Sequence, residues 1–430
     1  MGTLPQARIV EKRWAKDLPV PDRVQVALGE IAASAKEGLL AVSVGIGLQV
    51  LDLMFAEELT SVVGPKGRHD ARRTAVRHGS GKGQVVLGGR KVRITRPRAR
   101  KADRGEVELA TYRCFQDPEL LSELAYSRMV AGVSTRRYPA ALEPVGEVDA
   151  TGTSRSAVSR RFVVRTGAAL EELLHRDLSG IRIVAIFADG IEVAEHTCVV
   201  ALGVDDQGRK HVLGLREGTT ENAGVCRALL ADLIERGLAF DEGILVVIDG
   251  GKGLRKAVRS VFGSLALIAR CTVHKKRNVL DHLPRHLHAF VGGALDRAWA
   301  MKDTAAAERA LRALAGRLED AHPDAAASIL EGLAETLTVM RLGIGPSLRR
   351  TLQTTNPIES ANSVARTVTR GVKRWRDGKM VKRWIAAGML EAERQFRRVK
   401  GYREIPALIA ALKVHAQAVS DQGVMIPRSA

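Results

Sequence analysis

The stretch IRIVAIFADGIEVAEHTCVVALGVDDQGRKHVLGLRE (residues 181–217) decides the fold, because it holds three apolar runs in close succession. The first run ends at Asp189, and turn residues such as Asp205 and Gly208 separate the second run from the third. Apolar runs bounded by Asp and Gly are typical of strands, and short connections between successive strands favour antiparallel pairing. The stretch therefore predicts three antiparallel strands in a meander.

Helices and strands alternate after this meander. The pattern predicts a helix over about 221–236, a strand at ILVVID (244–249), a helix over about 252–262 and a strand at LALIARC (265–271). This is the element order of a ribonuclease-H-like core, and Ala-rich helices follow it to about residue 340. The predicted fold class is an α/β ribonuclease-H-like core with an all-α insertion, preceded by a mainly α region.

Two aspartates end strands that lie side by side in such a core. Asp189 ends the first strand and Asp249 the fourth, and each is followed by glycine. An isolated Asp-Gly after a strand is usually only a turn. A third acid, Glu359 in NPIESANSVAR, falls in the opening turn of a helix begun by Asn356-Pro357, although the helix dipole favours Glu there in any case. The long separation between Asp249 and Glu359 predicts an inserted helical domain.

Three converging carboxylates repel one another and are expected to hold cations. Carboxylate oxygens suit Mg²⁺, with Mn²⁺ as a substitute, whereas Zn²⁺ prefers Cys and His. Two such ions, about 3.5 to 4 Å apart, activate a water or a 3′-hydroxyl and stabilise the leaving oxygen at phosphorus. Asp189, Asp249 and Glu359 are therefore predicted to be both catalytic and metal-binding.

Net charge points to a polyanionic partner. The chain has 67 basic and 48 acidic residues, which gives a formal charge of +19. Such charge indicates nucleic acid, although a merely soluble basic protein is the alternative. Aromatic residues make up only 4%, and this scarcity favours duplex phosphate contacts over base-stacking single-strand binding.

Cysteine usage and the apolar segments indicate a cytoplasmic, nucleoid-associated protein. The four cysteines form no CxxC pair, as expected of a reducing compartment, and residues 1–16 lack the apolar core of a secretory signal. Residues 38–55 are apolar enough to raise the question of a membrane span. Gln49 and Asp52 favour a buried helix there instead.

The amino-terminal part changes composition along its length. Residues 1 to about 63 are predicted to be helical, residues 64–83 are dense in Gly, Arg and Lys, and residues 84–94 form a hairpin around Gly88-Gly89. The run RPRARK (96–101) is either a solvated loop or a phosphate contact.

Two amphipathic helices are expected from LLSELAYSRMVAG (120–132) and STRRYPAALEPVG (134–146), followed by a third in residues 151–174. Thr153 or Ser154 is a suitable N-cap for the third helix. This helix resembles a helix-turn-helix recognition element, although an ordinary capped helix with a charged face remains the alternative. The predicted DNA contacts are Arg155, Ser156, Ser159, Arg160 and Arg161.

Several separated motifs resemble the Mutator-type transposases of bacterial insertion sequences. They are FADGIEVAEHTCVVALGVDDQGRKHVLGLREGTTENAGV, ERGL, LVVIDGGKGLRKAVRSVFG, RCTVHKKRNVLDHLP and TTNPIESANSVAR, and the resemblance covers about 129–412. It implies a DDE triad matching Asp189, Asp249 and Glu359, bound magnesium, a helical insertion before the Glu, and an amino-terminal part that binds terminal inverted repeats.

The pair Cys271 and His274, within RCTVHKKRN, corresponds to a signature of that family, and it supplies too few ligands for zinc. A packing role is the alternative for Cys271, because free cysteines are usually buried. Ala269 departs from the family, which often has Gln there. The residues expected to lie near DNA, or to brace the acids, are His274, Lys275, Arg277 and Asn278, and Lys252 is a further predicted DNA contact.

Further along, Trp375 and Trp384 have helical spacing, which favours packing over contact with DNA or a partner subunit. The expected domains are residues 1–117 (helical region with a basic β-hairpin), 118–178 (helix-turn-helix-like DNA-binding region), 179–286 (first part of the core), 287–350 (helical insertion) and 351–430 (Glu-bearing and carboxy-terminal helices).

The function expected is therefore a DNA transposase that binds terminal inverted repeats and catalyses metal-dependent strand cleavage and transfer. Double-stranded DNA is the partner, as repeats and as target, and a homo-oligomer on DNA, most simply a dimer, is expected. The alternatives are a metal-dependent nuclease without strand transfer and a domesticated DNA-binding regulator. The presence of all three acids counts against the regulator.

Overall fold

The structure is a computed structural model that describes residues 39–68, 73–101, 105–142, 149–218 and 222–422, with only the backbone at residues 39–44. The chain divides into two units, residues 1–165 and 166–430, and the division falls within one helix. In the part described, no helix is both long and apolar enough to cross a membrane.

The first unit combines helices with a small sheet. Its elements are α1 (Leu39–Val63), β1 (Ala75–Leu87), β2 (Arg90–Lys101), β3 (Glu106–Val107), α2 (Ala110–Gln116), α3 (Pro118–Val130), β4 (Ala150–Thr151) and the first half of α4 (Arg155–Leu174). β2 is central and pairs antiparallel with β1, β3 and β4. Gly88 and Gly89 join β1 to β2 with φ of 56° and 77°, which confirms the predicted hairpin turn.

Helix α1 packs on this sheet. Leu51 and Phe55 are buried against Val85, Val92 and Leu109, which explains why the apolar segment at 38–55 is a packed helix. The predicted helices over residues 1–38 lie outside the described residues.

Two interpretations for this unit were wrong: the loop alternative for residues 96–101, whose other alternative, a phosphate contact, stays a prediction, and the helix over 134–146 in its described residues 134–142. The run Arg96–Lys101 is not a loop but the second half of β2, and Arg96 and Arg98 bind Glu106 at 3.0 and 2.8 Å. Pro97, which lacks an N–H, is accommodated because the β1–β2 register shifts between Arg77 and Ser80, opposite it.

The second wrong expectation is the helix over 134–146. Its described residues form only a short 3₁₀ turn, Pro139–Ala141. Pro139 begins this turn, and proline is tolerated in the first turn of a helix but not in its interior, so a helix running through residue 139 is disfavoured.

A five-stranded mixed sheet organises the second unit, in the order β7-β6-β5-β8-β9. Its strands are β5 (Ile183–Val193), β6 (His196–Asp205), β7 (Lys210–Gly218), β8 (Ile244–Ile248) and β9 (Ala266–Arg270). β5, β6 and β7 are the predicted antiparallel meander, whereas β5–β8 and β8–β9 are parallel pairs. The prediction that Asp189 ends the first strand was wrong, because the ladder with β6 continues through Asp189 and Gly190 to Val193. The helices between β7 and β9 are α5 (Ala223–Glu235) and α6 (Lys252–Phe262).

Both faces of this sheet are buried, as the near-continuous apolar strands require. Leu245 and Val247 of β8 face a core completed by the three last helices, α14 (Asn356–Thr369), α15 (Gly378–Arg394) and α16 (Ile405–Asp421). The alternate residues Ile244, Val246 and Ile248 face α5 and α6.

The Ala-rich region forms the expected helices with a core of their own. They are α7 (Thr272–Asp281), α8 (Arg285–Ala300), α9 (Thr304–Leu318), α10 (Pro323–Leu330), α11 (Leu333–Thr336), α12 (Thr338–Arg341) and α13 (Pro346–Leu352). Leu295, Leu311, Leu314 and Ile329 are among the buried residues of this core. Its members occur at helical spacing, as expected of amphipathic helices packed together.

Candidate active site

Asp189 and Asp249 lie side by side because of strand register. Phe187 of β5 pairs with Val247 of the parallel strand β8, and each aspartate is two residues further along its own strand direction. Asp249 follows the end of β8, and its Oδ1 accepts a hydrogen bond of 2.8 Å from the amide of Gly251. The intervening Gly250 has φ of 114°, so the chain turns sharply just after the carboxylate.

Glu359 faces the two aspartates from helix α14. Helix α14 begins at Asn356 with Pro357 in its first turn, as predicted, and this turn carries Glu359. All three acids line one cleft of about 1010 Å³. The remaining residues that line this cleft are Gly190, Glu192, Ala194, Glu195, His196, Thr197, His274, Arg277 and Arg366.

The carboxylates are close enough to repel one another. Burial and then the charge of Asp249 raise the pKa of Asp189 to about 6; His274 opposes this shift and Glu359 adds to it. A bound cation would relieve this repulsion, and carboxylate oxygens are the ligands that Mg²⁺ prefers. The donor set of the cleft thus fits a hard divalent cation.

Asn362 is a functional candidate that sequence reasoning missed. Its Nδ2 donates a 2.7 Å hydrogen bond to Asp189 Oδ2. The side chain is fully buried, and Oδ1 has no hydrogen-bond partner among the described residues. Asn362 is three residues after Glu359, on the same face of α14, and this spacing was the available signal.

Arg366 is a second functional candidate that sequence reasoning missed, and helical spacing from Glu359 was again the available signal. It lies two helical turns after Glu359 on α14 and lines the cleft. The turn between β5 and β6, which contains Glu192, Glu195 and the positive-φ residue Ala194, also lines the cleft, and no sequence pattern indicated this.

The Cys271–His274 signature lies beside Glu359. Cys271 Sγ, His274 Nδ1 and a Glu359 oxygen lie within 4.8 Å of one another, a spacing that one metal ion can bridge. However, the hydroxyl of Thr355 lies among them, 3.3 Å from Sγ, 3.2 Å from Nδ1 and 2.5 Å from Glu359 Oε1. The three side chains are therefore joined by a hydroxyl group, and we assign no metal to them.

Hydrogen bonding within this group alters two pKa values. The Cys271 hydrogen bond is the main reason that the pKa of His274 is raised, although burial opposes it. Burial would raise the pKa of Cys271, but hydrogen bonds from His274 and Thr355 outweigh it and lower that pKa.

The predicted DNA contacts near the acids divide into two groups. His274 and Arg277 line the cleft, whereas Lys252, at the start of α6, is exposed and Asn278 is half-buried. Lys275 is only 1% exposed, so the prediction that it contacts DNA was wrong. It lies with Thr272 and Val279 on the buried face of α7, and its Nζ is 3.6 Å from Glu331.

The predicted contacts on α4 belong to the first unit. Ser156, Ser159, Arg155 and Arg160 are exposed. Arg161 is half-buried and donates to the carbonyl of Gly152 at 2.5 Å, so its guanidinium stabilises the turn before α4 and is less available to DNA than expected.

Trp375 and Trp384 pack in the second unit. Their ring centroids are 6.5 Å apart in an edge-to-face arrangement; Trp375 packs against the core that α14, α15 and α16 share with the sheet, and Trp384 is buried. Packing is confirmed for Trp384, whereas Trp375 is half-buried and precedes α15, so the predicted helical spacing does not relate the two residues.

Comparison with known proteins identifies relatives over most of the chain. Residues 26–399 match the family model described as "Transposase, Mutator family". The transposase for insertion sequence element IS6120 of Mycolicibacterium smegmatis is 30% identical over 59% of this chain and 78% of its own length. The transposase for element ISRM5 of Rhizobium meliloti is 28% identical over 80% of this chain and 84% of its own length.

Proposed function

The chain belongs to the Mutator family of transposases, and from this premise we propose that Asp189, Asp249 and Glu359 are the catalytic, metal-binding triad of a DNA transposase. The observation that carries the proposal is that the three acids line one cleft and that Asp249 and Glu359 both raise the pKa of Asp189. Groups that repel one another in this way are commonly held together for function.

The sheet of the second unit is proposed to be a ribonuclease-H-like core. Its order, β7-β6-β5-β8-β9, with an antiparallel meander followed by two parallel strands, supports this fold. Helices α7–α13 would then be the all-α insertion, which begins at Thr272 and ends at Leu352 instead of spanning the predicted 287–350. The predicted divisions 1–117 and 118–178 remain part of the proposal, with 179–271 as the first part of the core and 353–430 as the Glu-bearing and carboxy-terminal helices.

Magnesium is the proposed cofactor, with manganese as a substitute. Asp189, Asp249 and Glu359 would hold it, and the buried Oδ1 of Asn362 offers one more oxygen beside them. When bound, two such ions supply the Lewis acidity that activates the attacking oxygen and stabilises the leaving oxygen.

The reaction has two steps at phosphorus. In cleavage, a water oxygen bonds to phosphorus, the P–O3′ bond breaks, and a 3′-hydroxyl is released at the element end. In transfer, that 3′-oxygen bonds to a target phosphorus and displaces the target's own 3′-oxygen. Arg277 and Arg366, which line the cleft, would bind the phosphates and orient them toward the acids.

The exposed residues of α4, Arg155, Ser156, Ser159 and Arg160, are proposed to contact terminal inverted repeats, and Lys252, His274, Arg277 and Asn278 to contact DNA near the reacting phosphate. Both element ends must be present together, so a homo-oligomer on duplex DNA in the cytoplasm, at the nucleoid, is part of the proposal.

Single substitutions of the triad test the proposal. We expect Asp189→Asn, Asp249→Asn and Glu359→Gln each to abolish Mg²⁺-dependent cleavage and joining of a duplex from the ends of the element, while gel-shift binding of that duplex is retained. Wild-type cleavage by any one of them contradicts the triad. Cleavage without any joined product by the unmodified protein would favour the nuclease alternative.

A further inference from the structure

The two ends of the helical insertion meet at one point. The insertion starts after β9 with Thr272, and the chain returns at Gln353, just before α14. The amide and the hydroxyl of Thr272 both donate to the carbonyl of Gln353, at 2.9 and 3.1 Å. Both residues are buried.

Cys271 connects this junction to the strand that precedes Asp249 and to the helix that carries Glu359. Its own amide donates to the carbonyl of Ile248, the residue before Asp249, at 2.8 Å. Its fully buried Sγ accepts hydrogen bonds from the amide of His274 at 3.5 Å and from the amide of Thr355 at 3.4 Å. Those amides begin α7 and α14, whose first N–H groups have no acceptor within the helix. The thiol thereby joins two helix starts, and the backbone amide of the same residue joins them to the end of a strand.

Thr355 carries the connection to Glu359. Its side chain is fully buried, and its hydroxyl lies 2.5 Å from Glu359 Oε1. A hydroxyl has one proton to donate, and the shortest of its contacts directs that proton to the carboxylate. Glu359 has several rotatable bonds, so without this hydroxyl its carboxylate would be free to leave the cleft.

We propose that Cys271, Thr272, Gln353 and Thr355, here named the insertion clasp, position Glu359 against Asp249 so that the two can share bound divalent cations. Thr355 is a positioning residue that acts through Glu359, and Cys271 positions Thr355. The clasp rests on the proposed role of Glu359 as a metal ligand. It also explains how an inserted helical domain can be present without disturbing the spacing of the acids.

Metal binding by the full-length protein without DNA is the first test, with Mn²⁺ as the probe and electron paramagnetic resonance of free Mn²⁺ as the readout. We expect Thr355→Val, which keeps the shape of the side chain but removes the hydroxyl, to weaken Mn²⁺ binding about tenfold, as loss of an outer-shell partner does. Thr355→Ser restores the hydroxyl and should bind like the unmodified protein.

Cleavage gives a second readout. In Thr355→Val the Mn²⁺ concentration for half-maximal cleavage should rise by the same factor, while the rate at saturating Mn²⁺ is largely retained. A side chain needed only for folding would lower the active fraction and leave the half-maximal concentration unchanged.

Cys271→Ala provides an independent variant, Cys271→Ser its rescue, and Cys226→Ala the matched control, since Cys226 is equally buried but lies on α5. Thermal unfolding of each variant is measured first. If either Thr355→Val or Cys271→Ala does not fold, the Mn²⁺ titration of the other variant tests the clasp. Unchanged Mn²⁺ affinity and half-maximal concentration in the folded clasp variants overturn the clasp. Glu359→Gln in the same titration separates the two proposals: if it too binds Mn²⁺ normally, the triad fails, and not the clasp alone.

Discussion

At the scale of single residues, the acids of the cleft depend on uncharged neighbours. Asn362 donates to Asp189, and Thr355 donates to Glu359. Each neighbour is fully buried, so its side chain has little freedom to leave the acid that it holds. Hydrogen bonds of this kind to a charged acceptor are stronger than those between neutral groups. The orientation of the carboxylates is thus fixed by uncharged side chains packed beside them.

Lys275 gives a residue-scale prediction about stability. Burial, and then the charge of Arg270, lower its pKa to about 8, although Glu331 opposes the shift. An unfolded lysine keeps its proton to about pH 10.4, so between about pH 8 and 10 the unfolded chain binds more protons, and stability rises with pH. We expect Lys275→Met to be at least as stable as the unmodified protein at pH 7.5, because Met fills the same space without a buried charge.

Thermal unfolding checks this prediction. The advantage of Lys275→Met should shrink as the pH is raised from 7.5 to 10, because the unmodified lysine then loses its charge. Lys276→Met is the control, since the ammonium of Lys276 binds Asp296 nearer the surface. A Tm advantage of Lys275→Met that stays constant or grows as the pH is raised, or a Tm below that of the unmodified protein at pH 7.5, would contradict the prediction.

Arg366 gives a second prediction at this scale. Because its guanidinium lines the cleft, Arg366→Ala should weaken binding of the element-end duplex and make the dependence of log K on log salt shallower by about one phosphate contact. Filter binding at several salt concentrations measures both the affinity for the duplex and the slope of log K against log salt. Arg370→Ala, at an exposed position just after α14, is the matched control. Equal slopes for Arg366→Ala and the unmodified protein would exclude a phosphate contact.

At the scale of elements, helix ends are held by groups from distant parts of the chain. Helix α2 follows Leu109, which has no side-chain acceptor for the first amides. Glu58 of α1 supplies one, accepting from the amides of Ala110 at 2.5 Å and Thr111 at 3.0 Å. The start of α2 is therefore fixed by tertiary contact with α1.

This contact gives an element-scale prediction. Glu58→Ala should destabilise the first unit by roughly 0.5–2 kcal/mol, the usual cost of removing an N-terminal cap, and Glu58→Gln should cost less because one acceptor remains. Urea unfolding followed by circular dichroism measures the difference. Glu57→Ala, at the neighbouring position, is the control. Equal stability of Glu58→Ala and Glu57→Ala would show that the cap contributes nothing.

At the scale of the whole molecule, net charge and the proposed chemistry both favour DNA as the partner. The formal charge of +19 favours duplex binding in general, whereas two element ends must be present for transposition. We expect the full-length protein to form a complex with two protein copies and two duplexes carrying the element end.

Mass photometry of that complex tests the prediction. A duplex of unrelated sequence is the control, and it should give a mixture without a preferred stoichiometry. A single protein copy on a single element-end duplex, persisting as the protein concentration is raised, would rule out the paired complex.

The sequence by itself determined the elements of the second unit. The apolar runs of residues 181–271 predicted all five strands β5–β9, although Asp189-Gly190 is paired within β5 and is not a turn, and Asn356-Pro357 predicted the start of α14 with Glu359 in its first turn. These features are local: a strand or a helix start is specified by residues within a few positions, and the register that brings Asp189 beside Asp249 follows from the element order.

Only the tertiary structure decided which polar side chains face the cleft. Lys275 and Arg277 belong to the same basic run, yet α7 buries the first and presents the second. The contacts of Thr355 with Cys271, and of Asn362 with Asp189, join residues 84 and 173 positions apart. The physical reason is that a helix has a fixed period but no preferred face until it packs, and hydrogen bonds between elements depend on that packing rather than on neighbours in the chain.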